Sequence, residues 1–341
     1  MHHRLSRHLN PMIRLLLVAF LLVALPSHAK PSPDVLADIV TKAHAKFKGV
    51  KEGANADYIP ILTEVPSDLF GIVIITRDGK VYQAGDTDYS FSIQSVSKPF
   101  NAALVMQEQG AEALQEKIGV EPTGLPFNSK LALEIMPARS VNPLVNAGAI
   151  ASVSMVDAKD EAQRWDKVRS NINDFAGAEL TLLDKVYTSE YETSWSNRGI
   201  ANLLFNYGRL YSEPEEALRV YTKMCSLGVN TEQLAMMGAT LANHGVNPKT
   251  GKRVLDAEHV SKLLAVMLTA GFYDESGIWS YTAGLPAKTG VGGGIVAVVP
   301  GEMAIAAFSP RLNKAGNSIR AMKAINYISK ELHLNIFEGV K

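Results

Sequence analysis

An α/β fold of the α+β kind is what this sequence predicts, with an antiparallel sheet built from both chain ends and an all-helical domain inserted between them. Three observations carry the prediction. Two pairs of short, β-branched runs, each joined by a tight-turn signal, stand at 71–84 and 294–308. Between them, apolar residues recur at helical spacing. A content of 47% hydrophobic residues in 341 positions supplies ample core, and it must do so without disulfides because Cys225 is the single cysteine.

The N-terminus reads as a targeting segment. Arg4, Arg7 and Arg14 precede an unbroken apolar run from Leu15 to Leu25, Pro26 ends it, and Ser27-His28-Ala29 offers a small-x-small exit. That is the pattern of a secretory signal peptide over 1–29. The run is too short for a membrane anchor, which takes about 20 apolar residues. The expectation is an exported protein, periplasmic or secreted, cleaved near Ala29 and no longer attached to a membrane. Cleavage removes three arginines and no acid, taking the net charge from 0 to −3. Such a chain carries no electrostatic footprint for nucleic acid.

The mature chain opens on a helix around 33–48. Residues 71–76 form an apolar strand, Asp78-Gly79 a hairpin turn, and 80–84 an alternating second strand. Helical patterns follow at 197–210, 213–227, 231–243 and 256–269, with Ser212 and Asn230 as N-caps of the second and third. Strands at 294–299 and 303–308 flank the turn Pro300-Gly301-Glu302, and a last helix fits 316–333. The domain boundaries that follow are 30–98 with 271–341 for the sheet and 99–270 for the helices. A functional site belongs in the cleft between them.

Two motifs suggest chemistry. In Ser95-Val96-Ser97-Lys98, a hydroxyl and an amine three residues apart share one helical face. A desolvated lysine loses its proton readily and serves as the base that a weak serine nucleophile needs. The spacing alone proves little, because Ser27 and Lys30 share it across the cleavage site. Lys-Thr-Gly also occurs twice. At 249–251 it sits in a polar, turn-rich loop; at 288–290 it runs into Val291-Gly292-Gly293-Gly294 and a strand, where glycines permit close approach and a bare N–H suits an oxyanion. The second copy is the candidate.

Together these motifs resemble the active-site pattern of serine β-lactamases and penicillin-binding proteins. The residues between them are more specifically similar to the glutaminase family that shares that fold. They include Tyr58-Ile59-Pro60-Ile61-Leu62, Phe91-Ser92-Ile93-Gln94-Ser95-Val96-Ser97-Lys98, Asn142-Pro143-Leu144-Val145-Asn146-Ala147-Gly148-Ala149-Ile150, Val186-Tyr187-Thr188-Ser189-Glu190, Asn197-Arg198, Gly271-Phe272-Tyr273-Asp274 and 286–295. The resemblance covers roughly 33–335.

It implies hydrolysis of L-glutamine to L-glutamate and ammonia through a glutamyl-Ser95 ester, with no cofactor. Matched position by position, Ser95, Asn146, Glu190, Asn197, Tyr221, Tyr273 and the Val291 backbone are its substrate-binding residues, and Tyr58 lines the same pocket. Ser95 attacks, Lys98 is the base, and Tyr273 moves a proton, helped by Lys98 and Lys288 as cationic neighbours. Glu190 meets the α-ammonium. Relatives form homodimers or homotetramers, so a homo-oligomer is expected; no effector domain is. Asn243-His244-Gly245 departs from the family, which usually has a second glycine there, and Thr289 replaces its commoner serine. Taken singly, the same residues have ordinary roles: a solvated acid for Glu190, caps for the asparagines, core aromatics for the tyrosines. No His or Cys constellation predicts a metal, and Cys225 reads as a small buried apolar side chain. The rivals are a β-lactamase or penicillin-binding-type acyl-serine enzyme and a non-catalytic exported sensor.

Overall fold

The computed structural model describes residues 31–136 and 140–338. The segment read as a signal peptide, and with it Ser27 and Lys30, lies outside the described residues. Helix α1 (Pro33–Phe47) begins where Ser32 caps it and proline takes the first turn, and it buries Leu36, Ile39, Val40 and Ala43 at helical spacing. Strand β1 (Gly71–Thr76) turns through Asp78-Gly79 into β2 (Val81–Gly85), with Ile75 opposite Val81. A two-residue strand β3 (Phe91–Ser92) then leads through a 3-10 turn, Gln94–Ser97, into α2 (Lys98–Gln109).

Small helices α3 (Ala111–Lys117) and α4 (Lys130–Ile135) precede α5 (Asn146–Met155), which is buried along its whole length. Next come α6 (Glu161–Ala176), α7 (Asp184–Thr193), α8 (Trp195–Asn206) and α9 (Pro214–Cys225). Of the two expected N-caps one is in place: before α10 (Thr231–Ala242), Asn230 and Gln233 form a reciprocal capping box. Ser212 is not a cap. Glu213 takes that position ahead of α9 because proline at its first turn starts the helix one residue later, and the Ser212 hydroxyl is buried without a partner. Strand β4 (Gly228–Val229) pairs with β3. The chain closes with α11 (Ala257–Ala270), α12 (Ser276–Thr282), strands β5 (Ala287–Thr289), β6 (Gly294–Val299) and β7 (Met303–Phe308), and α13 (Ile319–Glu331).

The main sheet is antiparallel throughout, in the order β2-β1-β7-β6-β5, so strands from the two chain ends meet at the β1–β7 pairing. This is the β-lactamase-like arrangement. Both faces are covered, which explains why β1, β6 and β7 read as continuous apolar runs rather than alternating ones. Ile72 and Ile74 of β1 join one core cluster with residues of α1 and α13, while Val73 and Ile75 join the other, with α10 and the remaining helices. The described residues form one compact unit in which α10 lies directly on the sheet. His244, just beyond α10, has φ +54, the left-handed backbone that a glycine would adopt more easily.

The approach of α10 to the sheet is set by Gly238. A Cβ there would come within 2.6 Å of Val296 Cγ2 and 2.7 Å of Ala304 Cβ. Gly238→Val is therefore expected to lower the unfolding free energy by about 1–3 kcal/mol through overpacking, despite the gain in helix propensity. Denaturant midpoints test this, and an unchanged midpoint would refute the tight fit.

Candidate active site

The site begins where β3 gives way to the 3-10 turn. Glycine-rich backbone after β5 presses on this segment: a Cβ at Gly292 would collide with the Ser92 carbonyl oxygen, and one at Gly290 would lie 2.9 Å from Val96 Cγ2 and 3.1 Å from Val96 N. The second Lys-Thr-Gly thus abuts Ser95. The first lies in a loop where Asn247 Oδ1 accepts from the N–H groups of Lys249 and Thr250, a turn of the kind its composition predicts.

Ser95 is buried within the turn, and the Lys98 N–H donates to the Ser95 carbonyl, so the pair stand one turn apart with Pro99 in the first turn of α2. Lys98 is wholly enclosed. Its Nζ donates to Asn146 Oδ1 at 2.6 Å, and Asn146 Nδ2 donates to Asn197 Oδ1 at 2.9 Å. The Tyr221 ring stands 5.9 Å from the same Nζ. Burial pulls the Lys98 pKa down to about 8, with Cys225 and Glu190 opposing. Cys225 is buried, and burial pushes its thiol pKa up to about 12, so it stays protonated.

Tyr273 approaches Ser95 from another element. It sits in a 3-10 turn with φ +57, and its phenol donates to the Thr289 carbonyl at 3.3 Å with Ser95 close by. Burial raises its pKa above the ordinary phenol range, with Ser95 opposing, so the phenol keeps its proton. Lys288 Nζ lies 4.2 Å from the Tyr273 ring centroid and donates to the carbonyls of Thr289 (2.7 Å) and Gly271 (3.1 Å). Burial and the nearby Lys98 charge push the Lys288 pKa well down. Lys288 thus ties the strand edge to Gly271 through two donated hydrogen bonds, beside the Tyr273 ring.

Glu190 is not a solvated acid. It lies buried on α7, accepts from Gln94 Nε2 at 2.9 Å, and burial pushes its carboxyl up to about 7, with Gln94 and Lys98 opposing. Asn146 is the first residue of α5, Asn197 the third of α8, and Tyr221 lies on α9, so with Lys98 on α2 and Glu190 on α7 five helices and one turn converge here. The sequence reading missed Gln94. Its one signal was a long polar side chain between apolar Ile93 and the nucleophile, in a stretch with nowhere to put it but inside.

Two cavities open on this centre. A small one of about 70 Å³ is lined by Asn146, Glu190 and Asn197 and closed by Tyr58 and Phe127; a larger one of about 880 Å³ shares Tyr58 and Phe127 and reaches Val291. Ser95 and Lys98, both buried, line neither. Tyr58 is half exposed at the rim, yet the cleft walls around its phenol, with Tyr273 and Glu190 near, raise its pKa. The Val291 N–H meets no acceptor among the described residues. The same residues include no His, Cys, Asp and Glu group able to hold a metal.

A profile of the glutaminase family matches residues 53–337. The glutaminase of Colwellia psychrerythraea is 51% identical over 307 residues, covering 90% of this chain and 99% of that protein, and glutaminase 1 of Shigella flexneri is 49% identical over 304 residues, covering 89% and 98%. Among solved structures, the probable glutaminase ybaS superposes with a TM-score of 0.89 at 48% identity, covering 90% of this chain and all of that one. The Bacillus subtilis glutaminase YbgJ, solved as a covalent complex with 5-oxo-L-norleucine, superposes at 0.79 with 30% identity, covering 89% and 98%.

The raised Glu190 pKa has a consequence for stability. The protonated form favours folding, so the contribution is complete below the ordinary carboxyl value of 4.5 and is lost as pH rises through about 7. Glu190→Gln is expected to match the parent at pH 4 and to exceed its stability at pH 8, by about 3 kcal/mol at most. Urea unfolding at the two pH values checks this; equal stability at pH 8 would mean that Glu190 is not strained by burial.

Proposed function

Because the chain belongs to the glutaminase family of amidohydrolases, we propose that it hydrolyses L-glutamine to L-glutamate and ammonia through a glutamyl ester on Ser95. The observation that carries this reading is the convergence, in one buried cluster, of a hydroxyl, a lysine of lowered pKa, a phenol and a carboxylate with a small cavity beside it. The covalent adduct of the Bacillus subtilis relative supports an acyl-type intermediate.

Glutamine enters with its α-end towards Glu190, which pairs with the ammonium, while Asn146, Asn197 and Tyr221 serve the rest of that end and Tyr58 closes over it. A carboxylate partner inside a pocket of about 70 Å³ selects a small zwitterion. The side-chain amide then lies at Ser95. Its carbonyl oxygen takes hydrogen bonds from the N–H groups of Ser95 and Val291, which stabilise the charge that develops there. Ser95 Oγ attacks the amide carbon and its proton passes to neutral Lys98. Tyr273, close to Ser95, relays that proton from Lys98 to the departing nitrogen, so ammonia leaves as the C–N bond breaks and Lys98 is neutral again. Water, deprotonated by Lys98, cleaves the ester and returns the proton to Ser95.

The amino-terminal pattern supports export to the periplasm or the medium. Association into a homo-oligomer is supported by the family resemblance and by large apolar side chains left exposed, Ile278 and Tyr281 on α12 among them.

The test is turnover. Purified protein is incubated with L-glutamine and, separately, with a chromogenic β-lactam. Ammonia release that vanishes in Ser95→Ala is the expected result; lactam opening without ammonia would replace this reading with the β-lactamase one, and silence on both would favour a sensor. Glu190→Gln should raise KM by about tenfold or more while changing kcat less, as loss of a charge-assisted contact predicts; a fall in kcat alone would remove Glu190 from ammonium recognition. The rate should climb with pH through the range of about 7 to 8, where Glu190 ionises and Lys98 becomes neutral, and a flat profile between pH 6 and 9 would contradict the lysine base.

A further inference from the structure

Gln94 stands immediately before the nucleophile and is 2% exposed. Its backbone is left-handed, φ +48, a conformation that a long side chain adopts only where its surroundings enforce it. Its amide uses both hydrogens. Nε2 donates to Ser92 Oγ at 2.7 Å and to Glu190 Oε2 at 2.9 Å. Ser92 Oγ donates onward to the Cys225 carbonyl at 3.0 Å, and Ser97 Oγ donates to the Gln94 carbonyl at 2.7 Å. The amide therefore has one workable orientation, since a flip would turn its oxygen against the carboxylate.

We propose that Gln94 is a positioning residue for substrate recognition: it fixes the Glu190 carboxylate by occupying Oε2, leaving the other oxygen to the ammonium of the substrate, and ties that recognition by one peptide link to Ser95. The proposal rests on the reading of Glu190 as the ammonium partner. Other titratable groups face Glu190 from three elements, namely Lys98 on α2, Tyr58 ahead of the 3-10 turn at Pro60–Glu64, and Tyr221 and Cys225 on α9. Among the described residues, Gln94 is the side chain that hydrogen-bonds the carboxylate. Its donation also lowers the Glu190 pKa against the pull of burial.

Two variants of the full chain separate side chain from backbone. Gln94→Met keeps length and bulk without a donor; Gln94→Gly accepts the left-handed backbone and has no side chain. Both are expected to raise KM for L-glutamine by about tenfold, the loss of one hydrogen bond to a charged group, with kcat within about threefold. The acidic limb of kcat/KM should move to higher pH in both, a shift that a merely structural role would not produce. Unchanged KM and an unmoved limb would overturn the proposal, as would a fall in kcat alone, which would make Gln94 a support for the Ser95 backbone. Glu190→Gln is the control. If it leaves KM unchanged, the ammonium reading itself fails; if it raises KM and the Gln94 variants do not, only the role of Gln94 falls.

Discussion

The close contact between the Gly290–Gly292 backbone and residues 92–96 is the constraint on which the site depends. Neither glycine has space for a Cβ, so the edge of the sheet and the nucleophile segment meet main chain to main chain. That contact sets Val291 beside Ser95 and brings Thr289, whose carbonyl accepts from Tyr273, into the same cleft. The sheet supplies a rigid edge because β5 pairs with β6 and both faces of the sheet are covered. Sites mounted on strands and helix starts hold their geometry better than sites on free loops.

Burial then sets the chemistry. Lys98 and Lys288 are enclosed with few opposing charges, and desolvation lowers both amines, Lys98 to about 8. The same desolvation raises Glu190 to about 7. Exposed lysine and glutamate would sit several units further apart; here a base and an acid are both poised near neutral pH. Each shift disfavours folding at some pH, so the cleft trades stability for reactivity. Asn146 softens the trade at Lys98 and Gln94 does so at Glu190, each with one hydrogen bond.

Backbone strain gathers at the same place. Of five described non-glycine residues with positive φ, Gln94 and Tyr273 lie in the site, one beside the nucleophile and one close to it. Each is held by several contacts, and each turns a long polar side chain inward where a relaxed backbone would aim it elsewhere. Such strain persists only where neighbours over-determine it.

Much of this was legible in the chain itself. Apolar runs around Asp78-Gly79 and Pro300-Gly301 are local signals, so the two hairpins follow from short-range chemistry, as does the Asn230 capping box. The Ser95 and Lys98 spacing, and the choice of the Lys288 motif over the Lys249 one, rest on local composition too. Gln94 did not show itself, because its role depends on Glu190, 96 positions away, and on a φ value that no residue type announces. The Ser212 cap was misplaced by one residue because Pro214 competes for the helix start. Sequence by itself supplied the candidate residues and the local elements that hold them. The tertiary structure alone decided their protonation and partners, because pKa and hydrogen bonding are set by what surrounds a group in space.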